Sequence, residues 1–291
     1  MEQLEKLCRL LNLGETLSAP TPVSGGLLHK MFRVETARGV FAVKMLNQEV
    51  MMRPEALGNM RRGERINAEF GMQNAAFDVC ASIGGVTEVE GTWFIVYPWV
   101  EGGSVFPPEI TAEHCRVMGH VLGSIHQADV RMPGVEVETT VRVPFDWSMA
   151  GDDRLPRWDA AALDGGRKLR SVQVISHRDL DPKNVMWQGM RPCVIDWEAA
   201  GYVNPWQELV ELLNYWADDE AKARAMIAAY RAHMDTSFAD WDAALAAGMD
   251  GLLGWLHYSL NREGGEEQAA KTIKELERYE ERAAFLRRLL A

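Results

Sequence analysis

The chain has 291 residues, 47% hydrophobic and 25% charged, with 42 Asp and Glu against 31 Lys and Arg and a formal net charge of −11. That balance argues against a nucleic-acid partner, whose phosphate backbone calls for a basic face. It argues equally against a membrane protein, since no apolar run approaches the ~18 residues that span a bilayer. Residues 1–100 carry a net charge of −1 and residues 101–291 one of −10, so the second region is the acidic one, with a field that would attract a cationic substrate.

The length is about twice that of a usual ~150-residue domain and leaves room for two lobes. Met1-Glu2-Gln3-Leu4-Glu5-Lys6 lacks the basic start and apolar core of a signal peptide. Cys8, Cys80, Cys115 and Cys193 are scattered, with no Cys-x-x-Cys pair. The expectation is a cytoplasmic chain with buried thiols, acting as a monomer or homodimer.

In chain order, a helix is expected at 2–12, and Pro20-Thr21-Pro22 opens a β-rich region. The alternation over 30–36, the Ala37-Arg38-Gly39 turn and the run 40–46 predict a hairpin. From Pro54 a long helix is predicted, with Leu57, Met60, Ala68, Met72, Ala75 and Val79 in one stripe and Glu64 inside it. Trp93 to Tyr97 reads as a buried strand, and Val100-Glu101-Gly102-Gly103 as the boundary between a first lobe, 1–100, and a second, 101–291. A helix follows over 111–128. Residues 130–170, with Pro133, Pro144, Pro156 and Gly165-Gly166, give no clear pattern. Short strands at 185–187 and 193–195 flank the Gln188-Gly189 turn, which puts Asn184 and Asp196 at the open ends of one hairpin. Four helices are expected after Pro205, near 206–217, 220–234, 238–261 and 266–290.

Within this frame, His177-Arg178-Asp179-Leu180-Asp181-Pro182-Lys183-Asn184 and Val194-Ile195-Asp196-Trp197 form a set suited to phosphoryl transfer. That reaction needs positioning, charge neutralisation and an acceptor for the hydroxyl proton. Asp179 is the candidate base. Asn184 and Asp196 offer hard oxygen ligands for Mg2+. Lys44 would neutralise phosphates, and Glu64 would hold that ammonium, because a carboxylate in an apolar stripe calls for a cationic partner. Glu69, off the stripe, is the weaker choice. Gly25-Gly26 would let backbone amides approach phosphates. His177 is read as a scaffold residue.

Phe41-Ala42-Val43-Lys44, the His177–Asn184 loop and Ile195-Asp196-Trp197 resemble the lysine strand, catalytic loop and metal-binding Asp of protein kinases. Gly-x-Gly-x-x-Gly is missing, Trp197-Glu198 replaces Phe-Gly, and no activation segment follows. With Leu122-Gly123-Ser124-Ile125-His126 and Asn204-Pro205-Trp206-Gln207-Glu208-Leu209, the chain is instead similar to the aminoglycoside phosphotransferase and choline kinase family over roughly residues 20–260. The resemblance implies an α+β, bilobal protein-kinase-like fold with a small β-rich N-lobe for nucleotide and a larger, mostly helical C-lobe for catalysis and substrate. It also implies ATP or GTP with Mg2+ as cofactors, the base meeting the carbonyl of Pro98 and the amide of Val100. Pro182 keeps the family pattern, whereas Asp181 and Lys183 replace its more usual His and Gly.

The implied reaction is transfer of a γ-phosphate to a hydroxyl of an aminoglycoside-like or other amine-bearing compound, with antibiotic resistance as one possible role. Glu198, Asp152 and Asp153 are candidates to receive ammonium groups, and Glu198 is expected to meet the substrate together with Asp179. Trp147, Trp158, Trp216, Trp241 and Trp255 are candidates to line the acceptor pocket, or else belong to the core. An amino alcohol, sugar or macrolide acceptor and a catalytically silent kinase-like binding protein are the alternatives.

Overall fold

The computed structural model describes residues 2–23, 28–73, 77–137, 142–148 and 150–290. The first part of the chain runs α1 (Glu2–Leu10), β1 (Thr21–Val23), β2 (Lys30–Thr36), β3 (Gly39–Met45), α2 (Gln48–Met51), α3 (Ala56–Gln73), β4 (Asp78–Val79), β5 (Val86–Val89) and β6 (Thr92–Pro98). It continues with α4 (Ala112–Gln127), α5 (Arg154–Lys168), β7 (Val174–Ser176), β8 (Val185–Gln188), β9 (Arg191–Val194) and β10 (Gly201–Val203). The helices α6 (Pro205–Trp216), α7 (Glu220–Arg231), α8 (Trp241–Ala247), α9 (Asp250–Leu260) and α10 (Glu266–Leu290) complete it. Two compact units result: Met1–Glu109 with His177–Gly201, and Ile110–Ser176 with Tyr202–Ala291. The segment from His177 to Gly201 thus packs with the N-terminal strands rather than with its sequence neighbours.

In the first unit, strands in the order β1-β2-β3-β6-β5 form an antiparallel sheet. Alternation along β2 and β3 sends Val34, Phe41 and Val43 to one face, where Leu4, Leu7 and Cys8 of α1 and Phe94 and Val96 of β6 close a core. A second, three-stranded sheet pairs β4 parallel to β9 and β9 antiparallel to β8. Its register, Val185 opposite Val194 through Gln188 opposite Arg191, is the expected hairpin.

Helix α3 departs from its expected stripe. It ends at Gln73, Met72 is exposed, and Val79 belongs to a strand, while Ala75 lies outside the described residues. Its buried residues are Ala56, Met60, Gly63, Glu64, Ile66, Asn67 and Phe70. The phase of that face is set by what it meets: Phe70 stacks on Trp197 with ring centroids 5.2 Å apart.

The second unit is mostly helical. Helix α5 occupies part of the stretch whose sequence gave no clear pattern. Its buried residues Leu155, Trp158, Asp159, Ala162 and Leu163 follow helical spacing. Pro156 is tolerated there because first-turn amides have no helical acceptor to lose. The single helix expected over 238–261 is instead two, α8 and α9, separated at Gly248-Met249. Tyr279 of α10 donates its hydroxyl to the Leu245 carbonyl near that break at 2.9 Å.

The Asn204-Pro205 motif begins α6. The Asn204 side chain accepts from the amides of Trp206 and Gln207 and donates to the carbonyls of Leu169 and Val172, and Pro205 takes the first helical position that suits its fixed φ. Two further motif residues meet in the interior, where the His126 ring lies 2.8 Å from Glu208 Oε2 through Nε2 and 2.9 Å from the Tyr230 hydroxyl through Nδ1. All three are at most 2% exposed. Leaving such a buried polar group without its partner generally costs about 1–3 kcal/mol, which accounts for both motifs as internal struts. Among the described residues no helix is long and apolar enough to cross a membrane.

Candidate active site

The first unit brings Lys44, Glu64, Asp179, Asn184, Asp196 and Glu198 within one body. Asp179 sits in a loop anchored by the fully buried His177, whose Nδ1 accepts the Asp179 amide at 3.2 Å and whose Nε2 lies 2.9 Å from the Ile195 carbonyl. An Nδ1 that accepts and an Nε2–H that donates define a neutral scaffold imidazole. Its ring packs edge-on against Trp197 at 4.7 Å. The loop then closes through Asn184, whose Nδ2 donates to the Asp179 carbonyl at 2.8 Å and to Asp179 Oδ2 at 2.9 Å. With its amide nitrogen so used, the Asn184 side chain keeps Oδ1 as an acceptor. The Asn184 carbonyl accepts the amide of Ile195 at 3.0 Å, which sets Asn184 and Asp196 side by side at the open end of the β8–β9 hairpin.

Arg178 and Asp196 flank this arrangement with φ of 68° and 65°. Left-handed backbone in non-glycine residues is uncommon and clusters at functional sites. Asp179 is half-buried, and that burial raises its carboxyl above the ordinary value against the pull of Lys183.

Lys44 is buried on β3, opposite Ile95 of β6. Its ammonium donates to Asp196 Oδ1 at 2.8 Å and to Glu198 Oε2 at 2.6 Å. Burial alone would lower the Lys44 pKa; the two carboxylates outweigh it and raise it. Glu64, expected to hold this lysine, makes no ion pair with it within 4.0 Å. It accepts instead the Tyr97 hydroxyl at 2.5 Å, and burial raises its carboxyl. The physical reason is the approach of the Trp197–Ala199 turn to α3. A Cβ on Gly63 would lie 2.4 Å from the Trp197 carbonyl oxygen and 3.1 Å from the Glu198 Cα. The absence of that atom lets Glu198 reach the ammonium first.

Glu198 was expected on the substrate; its carboxylate lies between Lys44 and His29, whose Nε2 is 3.5 Å away. Burial would raise its carboxyl, but the nearby His29 ring and the Lys44 ammonium hold it down at about 2. Reading the sequence alone missed His29 and Tyr97. Tyr97 was reachable, since residues two apart on a strand share a face and Ile95 is the cross-strand partner of Lys44. His29 precedes β2 and carried no periodic signal.

The Pro98 carbonyl at the end of β6 accepts the Cys80 thiol at 3.4 Å, and Val100 is half-buried beyond it. Gly102, at φ 115°, allows the segment to touch β8, where a Cβ would stand 2.2 Å from the Trp187 carbonyl oxygen. The Trp187 amide donates to the Gly103 carbonyl at 3.0 Å, and Ser104 Oγ donates to the Lys183 carbonyl at 3.3 Å. The expected Gly25-Gly26 phosphate loop lies outside the described residues.

Asn184, Asp196 and the neighbouring Glu198 make an oxygen donor set that suits Mg2+. Among the described residues no three His, Cys, Asp or Glu side chains converge on a metal position. Mg2+ is ordinarily held by one or two carboxylates together with substrate phosphates, so this set fits it.

The second unit contains a cavity of about 520 Å3 whose walls include Phe145, Asp146, Trp147, Asp152, Asp153 and Arg167. The Trp147 indole nitrogen is buried without a hydrogen-bond partner. Asp159, also in the lining, is committed to the Phe145 amide at 2.9 Å and to Arg142 at 2.6 Å, and Asp152 pairs with Arg154 at 2.7 Å. Of the other tryptophans considered for a pocket, Trp216 is a core residue, and Trp158 is buried beneath the Arg154 guanidinium, 5.0 Å from its ring centroid.

Comparison with known proteins adds the following. The model of the phosphotransferase enzyme family matches residues 20–246. No match was found among curated proteins. Similar solved structures include a thermostable mutant of aminoglycoside phosphotransferase APH(4)-Ia in ternary complex with AMP-PNP and hygromycin B. It has 16% identity and a TM-score of 0.65, covering 95% of this chain and 97% of the other. The choline kinase LicA from Streptococcus pneumoniae has 15% identity and a TM-score of 0.67, covering 96% and 100%. An amicoumacin kinase in complex with AMP-PNP, Ca2+ and Ami has 11% identity and a TM-score of 0.64, covering 94% and 92%. At these identities the likeness establishes the fold, α+β and kinase-like, as the sequence led one to expect.

Proposed function

Since the chain belongs to the phosphotransferase enzyme family, we propose that it is a small-molecule kinase that transfers the γ-phosphoryl group of ATP or GTP to a hydroxyl of an amine-bearing compound. The observation that carries this reading is the convergence of Asp179, Asn184, Asp196 and Lys44 in one unit, with Asn184 bonded to Asp179 and Lys44 to Asp196.

In this reading Asp179 orients the acceptor hydroxyl and takes its proton. Asn184 Oδ1, Asp196 and Glu198 would hold Mg2+, and the charge neutralisation that Mg2+ supplies between phosphate oxygens when bound adds to that of Lys44. The Lys44 ion pairs keep an ammonium ready for the phosphates, with Glu64 nearby as a further counter-charge. Residues 1–100 serve as the nucleotide lobe, the base resting on the Pro98 carbonyl and the Val100 amide, with Gly25-Gly26 the candidate backbone for approach to phosphates. The Pro98 carbonyl has a second lone pair beside the one that takes the Cys80 thiol. Residues 101–291 supply the catalytic and substrate groups, of which the His177–Gly201 segment with Asp179, Asn184 and Asp196 packs with the N-terminal strands. The reaction draws on cytoplasmic nucleotide, and inactivation of an aminoglycoside-like antibiotic is a role it would serve.

The acceptor class rests on the cavity of the second unit. Asp146 and Asp153 in its lining favour an ammonium ligand through Coulomb attraction, and Trp147 offers an indole N–H to a hydroxyl. The test is transfer of labelled γ-phosphate, with Mg2+ and ATP or GTP, to a panel of aminoglycosides, amino alcohols and sugars, each amine tested free and N-acetylated. The expected result is incorporation into free-amine compounds and much less into their acetylated forms. Equal labelling of both forms would remove the amine from the reading. Absence of transfer to every compound, with no nucleotide bound, would overturn the kinase assignment.

A further inference from the structure

Lys183 stands where the family pattern ordinarily has glycine, between the candidate base and Asn184. Its backbone is fixed from several sides. Asp181 Oδ1 accepts the Lys183 amide at 2.9 Å, Ser104 Oγ donates to its carbonyl, and the Asn184 amide closes the turn onto the Asp181 carbonyl at 2.9 Å. The side chain is 44% exposed, and its ammonium lies 3.5 Å from Asp179 Oδ2 and 3.8 Å from Asp181 Oδ2. Asp179 Oδ2 is also the atom that accepts Asn184 Nδ2. One carboxylate oxygen is thus approached by a fixed amide and by a cation on a pinned backbone and a half-exposed side chain.

An ordinary surface lysine in an i,i+4 pair has no such setting. A hydroxyl donating to Asp179 would place the phosphorus it attacks only a few ångströms further on, because in-line attack begins at about 3–3.5 Å. An ammonium 3.5 Å from the same carboxylate is then within one side-chain rotation of the phosphoryl oxygens. Lys44, held by Asp196 and Glu198, occupies a different part of the site.

Resting on the kinase reading above, we infer that Lys183 is a catalytic residue, a second cation that contacts the phosphoryl group in transit. In the step, the acceptor oxygen bonds to the γ-phosphorus as its proton passes to Asp179. The bond from phosphorus to the β,γ-bridging oxygen breaks, and its electron pair leaves with the nucleoside diphosphate. Lys183 stays protonated and donates to the equatorial oxygens of the transferring group, where charge is spread in the transition state.

The experiment compares wild type with Lys183→Met and Lys183→Arg, after thermal melts establish that all three fold. Lys183→Met is expected to lower kcat by about 100-fold with nucleotide KM close to unchanged, and Lys183→Arg to recover most of the loss. A second readout is binding. Affinity for ADP with aluminium fluoride, Mg2+ and acceptor should fall in Lys183→Met by a similar factor, while affinity for AMP-PNP is retained. An active wild type with an equally active Lys183→Met, or a variant that weakens both ligands alike, would overturn the role of Lys183 and leave the kinase reading standing. A wild type that neither turns over nor binds nucleotide would overturn both.

Discussion

Asp179→Ala should lower turnover by about a thousandfold or more, the range that a positioned general base supplies, and leave nucleotide affinity close to that of wild type. The split follows from the bonding. Asp179 bonds to Asn184 and pairs with Lys183, whereas Lys44 pairs with Asp196 and Glu198, so the group that takes the proton is not a partner of the ammonium that would meet the nucleotide. The neutral His177 imidazole cannot replace it, since its two nitrogens are occupied by the Asp179 amide and the Ile195 carbonyl. Steady-state kinetics with a titration of AMP-PNP would check this. Normal turnover in the variant would remove Asp179 from the mechanism.

Asp196→Ala should act on the other half of the site and weaken metal-nucleotide binding. Asp196 is at once a metal-facing carboxylate and a partner of Lys44. Removing it deletes an oxygen donor and leaves the buried ammonium with Glu198 alone. A carboxylate that ligates a metal and neutralises a cation is worth several kcal/mol, which corresponds to a loss of roughly a hundredfold or more in affinity. Titration of nucleotide at increasing Mg2+ would show the midpoint for metal displaced upward. An unaltered Mg2+ dependence would contradict the assignment.

The two halves of the site differ in how far the sequence revealed them. Asp179, Asn184 and Asp196 were legible because their relation is local: a five-residue loop spacing and a hairpin whose period-2 register brings its ends together. Lys44 was legible as a strand lysine, but its partner was not. The choice between Glu64 and Glu198 depends on how closely the Trp197 turn approaches α3, and the only trace of that approach in the sequence is a glycine at 63, which has many ordinary uses. Glu64 was correctly placed on the buried face, but the group that reaches its Oε1 is the hydroxyl of half-buried Tyr97 rather than a cation. Helix α5 was obscured by Pro156 and Gly165-Gly166, although Leu155, Trp158, Asp159, Ala162 and Leu163 kept the period. The tryptophans divided between core and cavity for reasons no spacing carries: Trp216 is fully enclosed, while Trp147 lines open volume.

In the proposed reading, one site built by residues 177–196 with Lys44 holds a metal nucleotide with its transferable phosphate beside Asp179. A crystal structure with AMP-PNP and Mg2+ tests it most directly. The expected result has the triphosphate between Lys44 and the pair Asn184 and Asp196, its terminal phosphate next to Asp179. A triphosphate bound away from these residues, or none bound at saturating AMP-PNP, would contradict it.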